Sequence, residues 1–289
     1  MTPAARARRL LRDAQERRRA AFFRRAGRWT PYVAAQLGEE VFVVRTGEEG
    51  LQRGLFVRQS RSDISSLERI LDWLEEDGVS RPPESVFVDV GANIGTTTVS
   101  ALRRFGFASA VALEPSPENF RSLRLNLVAN DLEERVTALQ VAAATHEGTR
   151  PLDTDRRHSG GHRLARKGKA ERAKEGQIEV RVVTLDGLVR EGIVDPSRVG
   201  LLWVDAAGDE GKVICGATRL LERGVPIVAA LRPRRMKPDA QKALVAALDG
   251  YRFVDTAGLH PGATARGVDQ LEAALAGGAR TLDLLFVSG

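Results

Sequence analysis

Cysteine is almost missing from these 289 residues: Cys215 stands alone. A disulfide framework within the chain is therefore excluded, and a reducing cytoplasm is the expected setting. Aromatic residues are scarce, 5% against 43% hydrophobic overall, so the core must be built from Val, Leu, Ala and Ile. No apolar run reaches the roughly 20 residues that span a bilayer. The N-terminus is too rich in Arg and too poor in apolar residues for a secretory signal. No internal repeat of fixed period occurs.

Charge is present in excess of one sign and unevenly placed. The net charge is +6, and up to Thr30 ten arginines face only Asp13 and Glu16. Such an arm suits nucleic acid, acidic lipid or an acidic partner, or is simply a solvated helix. Nucleic-acid binding normally brings a recognisable module or clustered aromatics as well. Here there are only Phe22, Phe23 and Trp29, and Arg outnumbers Lys along the whole chain.

Two regions follow from the pattern. Residues 1–80 form an accessory region: an Arg-rich helix over 4–25, a hairpin of strands 39–47 and 54–60, and a helix over 62–78 with an apolar stripe of Ile64, Leu67, Ile70, Leu71 and Leu74. The prolines of "SRPPES" (80–85) mark the boundary. Over 81–289, short β-branched runs alternate with helical stretches, which predicts βαβ units and a mainly parallel sheet with helices on both faces. "DEGKVICGATRLLERG" reads as one helix and "VTALQVAA" as one strand. The polar, basic stretch 153–177 is a long loop, of the kind that serves as a lid or stays disordered.

The most informative stretch is "VFVDVGANIGTTT" (86–98), a strand running into a glycine turn. A phosphate loop needs G-x-x-x-x-G-K-[ST], and no lysine is present. A dinucleotide site prefers G-x-G-x-x-G, and Asn93 holds the middle position. A nucleoside without phosphates fits better, as in S-adenosylmethionine. Gly91 and Gly95 let backbone approach a ligand, and Asp89 and Asn93 can meet the ammonium and carboxylate of a methionine moiety. The next strand ends in Glu114, nineteen residues after Gly95, placed to accept from a ribose diol. A turn that only packs helix on strand is the alternative.

"FVDVGANIGTTTVSAL", "ALEPSPENFRSLRLNLVAND", "VVTLDGL" and "LLWVDAAGDEGKVICGA" together resemble the FkbM-type methyltransferases, in order and spacing, over roughly 82–289. "HSGGHRL" (158–164) resembles a further glycine-containing segment of that family. The resemblance implies a class I, Rossmann-like S-adenosylmethionine-dependent fold and O-methylation of hydroxyls in sugars or natural products. It implies that Asp89, Gly91, Asn93 and Gly95 line the methionine end and that Glu114 holds the ribose. Pro115 and Ser116 would then lie along the adenine edge, with Val141 and Ala142 near the base. Asn119 and Asn126 match family positions read as bracing. Asp205 and Glu210 would face the substrate. Two positions depart from the family pattern: Ala207 and Ala230 stand where polar side chains are usual.

Transfer to a hydroxyl needs close alignment and a destination for the proton. Asp205, at a strand's carboxyl end, is the first candidate base, and a helix cap is its plainer role. Glu210 is the second. His158 and His162 are candidates for substrate contact or base. The histidines lack the partners an all-protein metal site requires, so no metal is expected. The expected acceptor is a small-molecule hydroxyl. The alternatives are a methyltransferase for RNA or another macromolecule recruited by the arginine arm, and a cofactor-binding protein without catalysis. A nicotinamide-dependent dehydrogenase is more distant. The N-terminal helix and hairpin could form a homodimer interface.

Overall fold

A computed structural model describes residues 2–60, 62–155, 158–165, 177–260 and 262–289. The chain opens with α1 (Pro3–Ala26), capped by the Thr2 hydroxyl, which accepts the Ala5 N–H at 3.3 Å. A hairpin follows, β1 (Tyr32–Leu37) against β2 (Glu40–Arg45), with Gly38 (φ 68) opening the two-residue loop. Next come α2 (Leu51–Arg58) and α3 (Ser62–Glu76).

The hairpin predicted from sequence is thus displaced. Residues 54–60 do not form a strand. Tyr32–Leu37 takes the partner's place, and the 54–60 stretch falls in and just after α2. The cause is local: the buried Glu48 carboxylate accepts the N–H groups of Gly50, Gln52 and Arg53, which starts a helical turn. Leu55 and Val57 are then buried, and Phe56 stacks against Phe22 and Phe23 of α1.

The second region runs β3 (Val86–Val90), α4 (Thr96–Arg103), β4 (Ser109–Leu113), α5 (Pro117–Val128) and β5 (Val136–Leu139). It continues with the short strands β6 (Ala142–Ala143), β7 (Gly148–Asp153), β8 (Arg163–Leu164) and β9 (Gln177–Val183). Then follow α6 (Leu185–Arg190), β10 (Val199–Val204), α7 (Glu210–Cys215), α8 (Thr218–Leu221) and β11 (Ile227–Leu231). The chain closes with α9 (Pro238–Ala247), β12 (Tyr251–Asp255), β13 (Arg266–Gly267), α10 (Leu271–Ala276) and β14 (Leu282–Ser288).

The main sheet has the order β13-β12-β14-β11-β10-β3-β4-β5. The pairs from β11 through β5 are parallel, and β14 enters antiparallel between β11 and β12. The helices cover both faces, as the alternation required. Strand period two divides β3 between two cores. Val86, Val88 and Val90 pack with Leu185, Ile214 and Leu244, whereas Phe87 packs with Phe42, Leu55, Leu67 and Trp73. The N-terminal elements therefore share a core with the sheet. Asn126 of α5 and Asn130 just after it extend this contact: their Oδ1 atoms accept the N–H groups of Val43 (2.6 Å) and Val41 (3.0 Å), pairing the free edge of β2.

Two further expectations are corrected. The "VTALQVAA" strand divides, β5 staying in the main sheet while β6 joins a second sheet of order β6-β9-β7-β8. The "DEGKVICGATRLLERG" helix breaks at Gly216–Ala217. A β-carbon on Gly216 would stand 2.5 Å from the Ala144 carbonyl oxygen, so the chain crosses close to that backbone. Within the expected loop 153–177, residues 158–165 form a 3-10 turn and β8, and residues 166–176 lie outside the described residues. Among the described residues no helix is long and apolar enough to cross a membrane.

Candidate active site

The chain leaves β3 for β4 and β5 on one side and returns to β10 on the other. The carboxyl ends of β3 and β10 therefore open a crevice at the point where strand order reverses. The turn after β3 is built for close approach. Gly91 has φ 88, and a β-carbon there would stand 2.1 Å from the carbonyl oxygen of Asp205 in the loop after β10. Asn93 adopts φ 53, which asparagine tolerates better than most residues. Gly95 precedes α4 at φ 84 and packs toward Leu123.

Glu114, directly after β4, is buried and receives two backbone donors: Asn93 N–H to Oε2 at 2.9 Å and Ser116 N–H to Oε1 at 2.8 Å. Burial raises its pKa to about 7, while these donors and Asn119 pull it down and Asp89 pushes it up. Each oxygen keeps a lone pair for a further donor. Glu114 lines a cleft enclosing about 630 Å³ of empty space, part of it open to solvent, with Gly91, Asn93, Pro115, Val141 and Ala142.

Asp89, Gly95 and Ser116 stand behind this wall. The Thr98 hydroxyl donates to Asp89 Oδ2 at 2.6 Å, tying the end of β3 to α4. Ser116 caps α5, its Oγ accepting the Asn119 N–H at 3.4 Å. Asn126 braces the glycine turn, donating to the Ile94 carbonyl at 2.7 Å.

A second wall comes from the β7–β8 segment. The Ser159–Gly161 turn is gripped from both sides: Asn119 Nδ2 donates to the Ser159 carbonyl (2.9 Å), and Glu48 Oε1 accepts the Ser159 N–H (3.0 Å). His162 lines the cleft, whereas His158 is exposed beside Asp155 and does not. His162 Nδ1 accepts the Asp155 N–H at 3.0 Å. Burial lowers its pKa, a trend Glu118 opposes and Arg45 supports, and an Nδ1 that accepts from an N–H leaves the ring proton on Nε2. His162 thereby presents a donor, Nε2–H, at the cleft.

The third wall is the loop after β10, with Asp205, Ala207 and Asp209. Arg232, following β11, donates to Asp205 Oδ1 at 3.3 Å and to Glu210 Oε1 at 3.2 Å. The Asp205 side chain is 55% exposed and that of Glu210 only 1%. Burial raises the pKa of Glu210, opposed by the Gly208 N–H (2.8 Å) and by Arg232. Glu210 therefore shapes the loop from beneath, and Asp205 is the more exposed carboxylate of the pair held by Arg232 and lines the cleft. Ala230 pairs in register with Asp283 of β14. Burial first, and then Asp205 and Asp255, raise the pKa of Asp283. Arg232 and Asp283 thus bring charged groups to the side where Ala207 and Ala230 carry none.

Three cleft residues have a buried polar atom with no partner among the described residues: Asn93 Oδ1, Asn119 Oδ1 and His162 Nε2. Two acceptors and one donor, beside a carboxylate and the apolar Val141 and Ala142, match the polar edge and flat face of a nucleoside. Sequence reasoning missed Glu48, Ser159 and Arg232. Only Arg232 carried a signal, two residues after the Ala230 departure. Among the described residues no group of three or more His, Cys, Asp or Glu is gathered to hold a metal.

Residues 89–245, more than half of the chain, match the family model described as the methyltransferase FkbM domain. Among curated proteins, the chain is similar to methyltransferase sdnD of Sordaria araneosa, 29% identical over 194 residues, covering 58% of this chain and 74% of that protein. Among solved structures it is similar to the methyltransferase FkbM from Methylobacillus flagellatus KT (15% identity, 78% of this chain and 55% of the other, TM-score 0.43). It is also similar to the Pyrococcus abyssi tRNA (uracil-54, C5)-methyltransferase in complex with S-adenosyl-L-homocysteine (12% identity, 90% and 45%, TM-score 0.42).

Proposed function

This chain belongs to the FkbM methyltransferase family and is an S-adenosylmethionine-dependent enzyme; from there we propose that its acceptor is a hydroxyl of a sugar or other small metabolite, in the cytoplasm. The observation that carries the proposal is the placement of Asp205. Asp205 lines the same cleft as Glu114; its backbone carbonyl lies against Gly91, and its half-exposed carboxylate is held by Arg232.

Bound in this cleft, S-adenosylmethionine supplies a methyl group on a positively charged sulfur. Glu114 would accept from the ribose hydroxyls, with Asn93 and Asn119 as neighbouring acceptors and His162 Nε2–H as a donor. Val141 and Ala142 give the base an apolar surface. Gly91 and Asn93 would border the methionine end, where the Thr98 hydroxyl holds Asp89 at the base of the turn. Asp205 would take the proton from the acceptor hydroxyl as that oxygen gains the methyl group, the carbon–sulfur bond breaks and S-adenosylhomocysteine leaves, a role worth about 10²–10⁴-fold. Arg232 fixes the carboxylate, and Glu210 fixes Arg232 from the buried side.

The test is methyl transfer from labelled S-adenosylmethionine to a panel of sugars and small polyhydroxyl metabolites. Label on a hydroxyl oxygen, with Asp205→Asn at least about 10²-fold slower, is expected. Label on an amine, a carbon or RNA, or an undiminished Asp205→Asn enzyme, would overturn it.

A further inference from the structure

Glu48 lies between β2 and α2, outside the segment that matches the family model, and is fully buried. Its Oε2 accepts from Gln52 N–H (2.7 Å) and Arg53 N–H (3.3 Å), and its Oε1 from Gly50 N–H (3.0 Å). That is already a helix start. A fully buried carboxylate is a costly way to provide one, since an exposed Ser or Asp does the same. The same Oε1 also accepts the N–H (3.0 Å) and the hydroxyl (3.4 Å) of Ser159, 111 positions along the chain.

Ser159 is itself buried, and its carbonyl is held from the opposite side by Asn119 of α5. The turn over Ser159–Gly161 is thus suspended between the accessory region and the helix that follows Glu114. Ser159 and Gly160 line the cleft, and a β-carbon on Gly160 would lie 4.0 Å from Asn93 Nδ2. The turn leads directly to His162, whose Nε2 has no partner among the described residues. One carboxylate from the first 80 residues therefore sets the position of a wall made by residues 159–162.

We infer that Glu48 is a positioning residue for the methyl-donor cleft. It makes the hairpin–α2 junction a working part of the site. The inference rests on the reading that this cleft holds the methyl donor. Order in the junction and occupancy of the cleft are then linked, and each favours the other.

The experiment is calorimetric titration of the full chain with S-adenosylhomocysteine, as wild type, Glu48→Gln and Gln52→Ala. Gln52 Oε1 accepts the Arg45 N–H at 2.7 Å, so Gln52→Ala loosens the same junction without touching Ser159. Glu48→Gln should weaken binding about tenfold or more, while Gln52→Ala binds as wild type even where its melting temperature falls as far. Equal affinity in Glu48→Gln, or equal weakening in Gln52→Ala, would overturn the inference. Should Glu48→Gln fail to fold, amide exchange in the wild type decides. S-adenosylhomocysteine should slow exchange at Gly50, Gln52 and Arg53, and unchanged exchange there would contradict the linkage. A folded wild type that binds no S-adenosylhomocysteine overturns the donor-site reading itself. A binding wild type with an equally binding Glu48→Gln overturns this inference alone.

Discussion

Gly91 and Asp205 meet backbone to backbone: a β-carbon on Gly91 would stand 2.1 Å from the Asp205 carbonyl oxygen. This contact joins the loops after β3 and β10, the two sides of the cleft. A backbone atom cannot swing aside, and φ 88 adds strain for any other residue. Gly91→Ala should cost more than about 2 kcal/mol of folding stability. Gly95→Ala should cost less, because its β-carbon would meet only the flexible end of Leu123. Urea unfolding of the two variants tests the ordering.

Glu114 makes stability depend on pH. Its folded pKa of about 7 lies above the usual 4.5, so between those values the unfolded chain has released a proton that the folded protein retains. Stability from this group therefore falls as pH rises from about 4.5 to about 7 and is level above, by up to about 3 kcal/mol. Glu114→Gln should remove that slope in unfolding measured at pH 5 and pH 8. Ribose hydroxyls favour the ionised form, so S-adenosylhomocysteine binding near pH 6.5 should release protons. Titration in buffers of different ionisation enthalpy checks this.

His162 and Asp205 separate by kinetics. His162→Phe removes a donor, and the KM for S-adenosylmethionine should rise about tenfold with kcat changed by less than that factor. Asp205→Asn should lower kcat by at least about 10²-fold and leave S-adenosylhomocysteine affinity close to wild type. Steady-state rates on any accepted substrate distinguish this from the reverse pattern, in which His162 is the base.

Arg232 is the cation bonded to the buried Glu210 carboxylate, and Arg232→Met strands it. Because Arg232 itself is 25% exposed, the cost should be about 2 kcal/mol, below that of a fully buried pair. Combining it with Glu210→Gln should cost less than the two single changes added together, since the stranded charge is then gone. Denaturant midpoints of the four proteins complete the cycle.

The parallel sheet and its glycine turn were legible because buried parallel strands are continuous apolar runs and helices keep a 3.6-residue stripe. The cleft wall after β4 was legible for the same reason: Glu114 and Pro115 follow directly from a strand end. What escaped was set by contacts across long sequence distance. The 54–60 stretch has strand-like residues, yet Glu48 caps it into a helix, and Tyr32–Leu37 was the stronger hairpin partner. Gly216 breaks a helix because of the Ala144 backbone 72 positions earlier. Glu48 bonds Ser159 through a pairing that no local pattern encodes. The spacing drew attention to His158 and His162 equally. Only the Asp155 N–H, which fixes the His162 tautomer, and the burial of one ring but not the other, distinguish them.

The central claim is that the crevice between β3 and β10 holds the methyl donor with Glu114 as its ribose acceptor. Calorimetric titration of S-adenosylhomocysteine into the wild type and Glu114→Ala, with NAD as a comparison, tests it most directly. Micromolar binding to the wild type is expected, with loss of that binding in a folded Glu114→Ala and no heat from NAD. A folded wild type that ignores S-adenosylhomocysteine, or a Glu114→Ala protein that binds it undiminished, would contradict the claim.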